Sequence, residues 1–138
     1  MEIVTNTLAF NTKGKTDIID ITDKVANVIA ETGLQEGIVH VFAIGSTTGI
    51  TTVEYEPGLV NHDIAEMFQQ IAPYGKDYRH NQTWGDDNGS SHLRSTLLGT
   101  HFTAPMSKGS LILGTWQQII FIDFDTRPRS RKVVVQVM

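Results

Sequence analysis

The 138-residue chain carries 15 acidic and 11 basic residues, no cysteine, and a formal net charge of −4 with its histidines neutral. Its length and its 40% hydrophobic content predict one folded domain, 1–138, with a single core. The composition excludes disulfides, thiolate nucleophiles and cysteine-ligated metals, disfavours nucleic acid as a partner, and leaves no apolar run near the roughly 20 residues that would span a membrane.

The N-terminal half predicts four strands and one helix. The first ten residues lack the basic start and apolar stretch of a secretory signal, so we expect a cytoplasmic protein. Thr22 and Asp23 begin the helix, and Gly33 ends it, because glycine enters a left-handed cap without strain. Apolar alternation and β-branched residues predict strands at 2–10, 16–21, 37–45 and 48–56.

The C-terminal half predicts two helices and more strands. The first helix has its apolar stripe at Val60, Ile64, Met67, Phe68 and Ile71. Residues 74–90 are polar and predict turns, and a short helix follows from Ser90 or Ser91 with Leu93 and Leu97 paired on it. Further strands are predicted at 100–106, 110–116, 117–125 and 131–137. Short connections favour antiparallel pairing, so we predict an α+β domain with a β-sandwich-like, jelly-roll-like core and about three helices.

The longest polar segment, residues 78–92, combines groups that suit a chemical site. Its candidates are Tyr78, Arg79, His80, Trp84, Asp86, Asp87, Asn88 and His92. Imidazoles beside carboxylates can hold a divalent cation, or can form a proton-transfer pair in which a carboxylate orients a histidine. The same residues also fit an ordinary turn followed by a capped helix. In the first turn of that helix, His92 would lie beside unpaired backbone amides that favour an anion.

Two other segments have features of phosphate sites. In "GSTTGIT" (45–51), glycines permit a tight turn, and Ser46, Thr47 and Thr48 supply hydroxyl donors; a plain hairpin turn is the alternative. In "DFDTRPRSRK" (123–132), Arg127, Arg129 and Arg131 could clamp a pyrophosphate. The arginines could equally pair with Asp123 and Asp125 or form a solvated turn.

One aromatic residue outside these segments could bind a heterocycle. Trp116 follows Gly114 at a predicted strand start, where its indole could stack on a ring and the amide of Gln117 could read the ring's edge. A tryptophan at such a place could also belong to the core.

Taken together, the motifs resemble the YjbQ-like family, also called the secondary thiamine-phosphate synthase family. The matching pieces, in chain order, are "GSTTGITTVEYEPGL", "YRHN", "WGDDNGSSHLRSTLLG", "KGSLILGTWQQIIFIDFD" and "RPRSRKV". The resemblance implies a β-rich homotrimer with a weak ability to join a pyrimidine diphosphate to a thiazole phosphate, releasing pyrophosphate. The family pattern carries onto His80, Asn88, His92, Thr47, Thr48, Trp116 and Gln117. Ser46 stands where many members have a histidine.

We therefore predict a small-molecule transferase with a phosphorylated substrate. The expected catalytic residues are His80, Asn88 and His92. The expected substrate-binding residues are Ser46, Thr47, Thr48, Trp116, Gln117, Arg127 and Arg129. A divalent ion, Zn²⁺ or Mg²⁺, is expected on His80, Asp87 and His92, with Asp86 as a further donor. The alternative is a non-catalytic trimer that binds a metal or a phosphate, and a third possibility is that the loop only packs the trimer.

Overall fold

The computed structural model describes residues 1–138 as eight strands and four helices. The strands are β1 (Val4–Thr12), β2 (Asp17–Asp20), β3 (Gly37–Ile44), β4 (Thr48–Glu54), β5 (His101–Ser107), β6 (Ser110–Leu111), β7 (Gln117–Asp123) and β8 (Arg129–Val137). The helices are α1 (Thr22–Thr32), α2 (Ile64–Ile71), α3 (Arg79–Trp84) and α4 (Gly89–Leu98), and a π-helical turn, Leu59–Asp63, leads into α2. None of the helices is long and apolar enough to cross a membrane.

The strands form two antiparallel sheets. One has the order β1-β8-β3-β5-β6 and the other the order β2-β7-β4. Alternate residues of β8 and β3 point inward, and α1 covers them with its valine and isoleucine face. The predicted α+β class and antiparallel core are therefore confirmed.

The centre of β7, residues 119–122, is apolar at every position because both faces of the strand are buried there. Ile119 and Phe121 belong to the main core between the sheets. Ile120 and Ile122 face the other way and pack with Phe68 of α2 and with Phe124. Because β7 is buried on both faces, it is a rigid support. It holds in place Asp123 at its end and Asp125 just after it.

Two predicted elements were wrong. The strand predicted at 110–116 is limited to Ser110–Leu111, and the segment 74–90, predicted as turns, contains α3. Gly85 ends that helix in the left-handed conformation, with φ at 65°, which is the usual glycine stop. A six-residue helix has too few turns to display an apolar stripe, so its periodicity was not visible in the sequence.

The face that α4 buries is polar. Ser91, Arg94 and Ser95, spaced for one helical face, are buried, whereas Leu93 and Leu97 are 50% and 60% exposed. The predicted helix is confirmed, and its leucine pair lies on the exposed face. The helix is held by hydrogen bonds instead, among them one from the Ser91 hydroxyl to the Phe124 carbonyl, 2.5 Å.

Candidate functional site

The carboxyl end of β7 carries two buried aspartates. Asp123 accepts two hydrogen bonds from Arg131, one from Nε to Oδ2 at 2.7 Å and one from Nη2 to Oδ1 at 2.9 Å. The hydroxyl of Thr12 donates to the same carboxylate at 2.5 Å. Asp123 is fully buried and Arg131 is 11% exposed, so the bidentate pair is shielded from water. This pair fixes the start of β8 against the end of β7.

Asp125 is the second aspartate and connects the sheets to α4. Its Oδ2 accepts from Arg129 Nε at 2.8 Å and from the Thr47 hydroxyl at 3.3 Å, and its Oδ1 accepts from the Asn88 amide at 3.3 Å. Burial alone would raise the pKa of this carboxyl, but hydrogen bonds from the Thr126 backbone, Asn88 and Arg129 together lower the pKa below 3.8. Asp125 is therefore an anion at neutral pH.

Asp125 fixes the orientation of the Asn88 amide, and Asn88 in turn fixes the tautomer of His80. A carboxylate can only accept hydrogen bonds, so the NH₂ group of Asn88 must face Asp125, and its carbonyl oxygen must face His80. That oxygen lies 3.0 Å from Nε2 of His80. In the neutral ring the proton is thus on Nε2, and the lone pair is on Nδ1.

His92 lies against His80. The ring centroids are 4.5 Å apart, and the planes are inclined by 57°. Burial lowers the pKa of His92 below 6.5, and the charge of His80 lowers it further, against the opposing effects of Asp125, Asp86 and a backbone hydrogen bond with Ser46. His92 is consequently neutral at pH 7, and the two facing rings provide lone pairs that can accept a proton.

The titration of His92 provides a direct check of this environment. We expect its NMR midpoint to lie below 6.5, and we expect His80→Ala to raise it, because the variant removes a repelling charge and reduces burial. The measurement is the pH dependence of the His92 ring Cε1–H signal in both proteins. A midpoint above 6.5 in the wild type would contradict the described environment.

Two of the three hydroxyl residues in the predicted turn 45–51 are buried. Thr47 is buried, and its hydroxyl accepts from Arg131 Nη2 at 2.7 Å while donating to Asp125. Thr48 is fully buried, and its hydroxyl has no partner. Ser46 is exposed. Of the three residues, Ser46 is therefore the one that faces solvent near His92.

The predicted pyrophosphate clamp is only partly free. Arg129 and Arg131 are bound to the two buried aspartates, which was the alternative left open by the sequence. Arg127 is exposed and makes no hydrogen bond or ion pair. One guanidinium, not three, is therefore available to a ligand.

The predicted metal ligands do not form one cluster. His80 and His92 are neighbours, but Asp87 is exposed, and its Oδ1 accepts from the Thr126 hydroxyl at 2.8 Å. Three ligand atoms lie within 4.8 Å of one another at a different place, on His62, Asp63 and Glu66, which are all exposed.

Trp116 and Gln117 lie at the opposite end of β7 from the aspartates. Seven residues of extended strand separate the two ends, a distance of about 20 Å. Trp116 is 71% exposed, and Gln117 is bound to the Thr52 hydroxyl at 2.9 Å. Within one chain, these two residues do not join the histidines.

The histidine pair is not enclosed by a single chain. None of the five grooves on the surface is lined by His80, Asn88 or His92. The largest groove, about 390 Å³, lies between α2 and the loop that joins β1 to β2, and Arg94 of α4 is part of its wall. Sequence reasoning did not single out Arg94, because an arginine on a helix surface is ordinarily solvated; its position two residues after His92 was the one available signal.

Comparison with known proteins gives a consistent set of relatives. A family model described as "UPF0047 protein YjbQ-like" matches residues 6–138. A UPF0047 protein from Archaeoglobus fulgidus is 40% identical to this chain, over 95% of this chain and 98% of the relative. A UPF0047 protein from Methanothermobacter thermautotrophicus is also 40% identical, over 99% of this chain and 93% of the relative. Among solved structures, a YbjQ-like protein of unknown function from Sulfolobus solfataricus has a TM-score of 0.92 at 29% identity, covering 99% of this chain and 96% of that one. A hypothetical protein from Aeropyrum pernix has a TM-score of 0.90 at 30% identity, covering 100% and 98%.

Proposed function

The chain belongs to the UPF0047 YjbQ-like family, and from the geometry of its histidine pair we propose that it is a transferase acting on a phosphorylated small molecule. The reaction implied by the family resemblance joins a pyrimidine diphosphate to a thiazole phosphate. The observation that carries the proposal is the contact of two histidines, one with its tautomer fixed through Asn88 and Asp125.

The pair suits this reaction as a proton acceptor. A C–N bond forms to the thiazole nitrogen, and a C–O bond to pyrophosphate breaks. An amino group on the pyrimidine ring can push electrons toward the breaking bond if a base accepts one of its protons, and the proton returns when the new bond has formed. His92 is a suitable base because burial keeps its pKa below 6.5, so that the neutral ring has a lone pair to accept the proton, and the charge of Asp125 stabilises the imidazolium that forms. The unbound ring nitrogen of His80 offers a second lone pair beside it.

A single chain provides few positively charged groups that could bind the substrate phosphates. Arg127 is free, and it could stabilise developing charge on pyrophosphate. The backbone N–H groups of Ser91 and His92 donate to the Asn88 carbonyl, so the anion site predicted at the start of α4 has few free amides. Arg129 acts differently: it holds Asp125 and is a positioning residue.

We further propose that the active form is a homotrimer. The support is that the histidine pair is not enclosed by one chain and that β3 exposes a row of large apolar side chains, Ile38, Phe42 and Ile44. A neighbouring chain would supply the remaining walls of the site. Trp116 and Gln117 can serve the site only from such a neighbour, because within one chain they lie at the far end of β7.

A divalent ion is not required by the residues that this chain brings together. Two imidazoles without a third ligand are fewer than the three protein ligands typical of a catalytic zinc site, and Mg²⁺ prefers oxygen donors. Asp87 is engaged with Thr126 instead.

The proposal is tested by incubating the protein with the pyrimidine diphosphate and the thiazole phosphate, with added Mg²⁺ or Zn²⁺ and with a chelator. We expect thiamine phosphate and pyrophosphate to appear in equal amounts, followed by ³¹P NMR. Binding of either substrate without product would contradict the transferase and would favour the alternative, a non-catalytic phosphate-binding trimer.

A further inference from the structure

A buried cation without an anionic partner lies on α4, away from the histidine pair. The guanidinium of Arg94 is 1% exposed. It donates from Nε to the Ala72 carbonyl at 2.9 Å, from Nη1 to the Thr16 hydroxyl at 2.8 Å and from Nη2 to Gln69 Oε1 at 3.0 Å. All three acceptors are neutral, and no carboxylate lies within 4.0 Å. Two of its five N–H groups therefore have no protein acceptor.

The Tyr74 ring compensates in part for the missing counter-charge of Arg94. Buried charges in proteins are ordinarily paired, because removing a charge from water is costly. The centroid of the Tyr74 ring lies 3.8 Å from Cζ of Arg94, and the π-face of the ring partly stabilises the buried positive charge. Burial raises the pKa of Tyr74, so this phenol is neutral and is not the missing anion.

The groove next to Arg94 has the charge expected of an anion site. Its volume is about 390 Å³, and Lys15, which forms no ion pair, is part of its wall. Glu66 is the single acidic residue in the lining, and it pairs with His62 at 3.3 Å rather than with Arg94. Two cations therefore border the groove without a carboxylate on either.

The loop that forms one side of this groove has an unusual backbone. Lys15 and Thr16 have φ values of 53° and 65°, in the left-handed region, where a β-branched residue such as Thr16 is rarely found. The conformation is maintained by a hydrogen bond from the Lys15 backbone N–H to the Asp125 carbonyl, 2.6 Å, and by the Arg94 bond to Thr16. Unfavourable backbone geometry that is held in this way is found preferentially at functional sites.

We propose that the groove binds an oxyanion, a phosphate or carboxylate group of a small molecule, with Arg94 as the buried counter-charge and Lys15 as the exposed one. The site is separate from the histidine pair, because positions 92 and 94 lie on different faces of α4. The proposal does not depend on the transferase activity.

The test is an NMR titration of the ¹⁵N-labelled protein at constant pH and ionic strength, with inorganic phosphate in one arm and acetate in the other. We expect at least one anion to cause saturable shifts of the backbone amides of Lys15, Thr16, Asn61 and His62. Binding of one anion alone identifies the preferred oxyanion. Lys15→Gln should weaken binding about threefold to tenfold, because it removes one charged donor.

The matched control is Lys13→Gln, which removes the same charge from the same turn but from a residue outside the groove. It should change the affinity by less than about twofold. Absence of saturable shifts with both anions, equal weakening by the two variants, or shifts centred on His80 and His92 would each overturn the proposal. A folded Arg94→Met variant that keeps the wild-type affinity for the anion that binds would overturn it as well.

Discussion

Replacing His92 with alanine is expected to lower the rate of thiamine phosphate formation by about 10²- to 10⁴-fold, the usual contribution of a positioned acid or base. The variant removes one of the two facing imidazoles and leaves the Asn88–Asp125 bond in place. The measurement is kcat/KM with both substrates, with product quantified by chromatography. Circular dichroism establishes that the variant is folded.

The matched control for this prediction is His62→Ala. His62 is 70% exposed on the π-helical turn and pairs with Asp63 and Glu66, so its loss should leave the rate unchanged. Equal rates in the wild type and in both variants would contradict a catalytic role of the pair. Equal losses in both variants would show that the effect is not specific to the site.

Replacing Asp123 with asparagine is expected to lower the free energy of unfolding by about 3 kcal/mol, because the buried Arg131 would lose its bidentate partner and keep only the longer contact of Nη2 with Asp125 Oδ2, 3.6 Å. The loss should be large because Asp123 is fully buried and also accepts from the Thr12 hydroxyl. The measurement is urea denaturation followed by circular dichroism at neutral pH.

The control for the Asp123 variant is Asp87→Asn. Asp87 is exposed and accepts one hydrogen bond, from Thr126, so this change should cost less than about 1 kcal/mol. A loss below 1 kcal/mol for Asp123→Asn would mean that the pair does not hold β7 and β8 together as described.

The fold was largely predictable because its main elements have strong patterns. The helix ended by Gly33 and the valine-rich β8 were confirmed, since apolar periodicity directly reflects burial. The segment 110–116 could not be predicted correctly in the same way. Leu111 and Leu113 pack against the core, whereas Ile112 is 58% exposed, so an apolar run gives no information on how far strand pairing extends.

The candidate site was predictable in its parts but not in its connections. His80 and His92 were singled out, and the structure brings their rings together although 12 positions separate them in the sequence. The sequence could not decide whether the arginines of the β7–β8 turn bind a ligand or the aspartates, because both choices use the same charges. The structure assigns Arg129 and Arg131 to Asp125 and Asp123.

Arg94 illustrates a different limit of sequence reasoning. Its charge would normally place it at the surface, and the flanking leucines would normally place their own face inward. The polar face of α4 is buried instead, because Ala72, Thr16 and Gln69 supply acceptors from three separate segments. Acceptors that are distant in the chain leave no local pattern.

The pH dependence of kcat/KM tests the central claim, proton transfer by the histidine pair, most directly. The wild-type rate should fall on the acid side with a midpoint below 6.5 that coincides with the NMR titration of His92, because protonation removes the accepting lone pair. His92→Ala should lose this acid limb together with most of the rate. A wild-type rate that does not change between about pH 5 and pH 8, or an acid limb that persists in His92→Ala, would contradict the account.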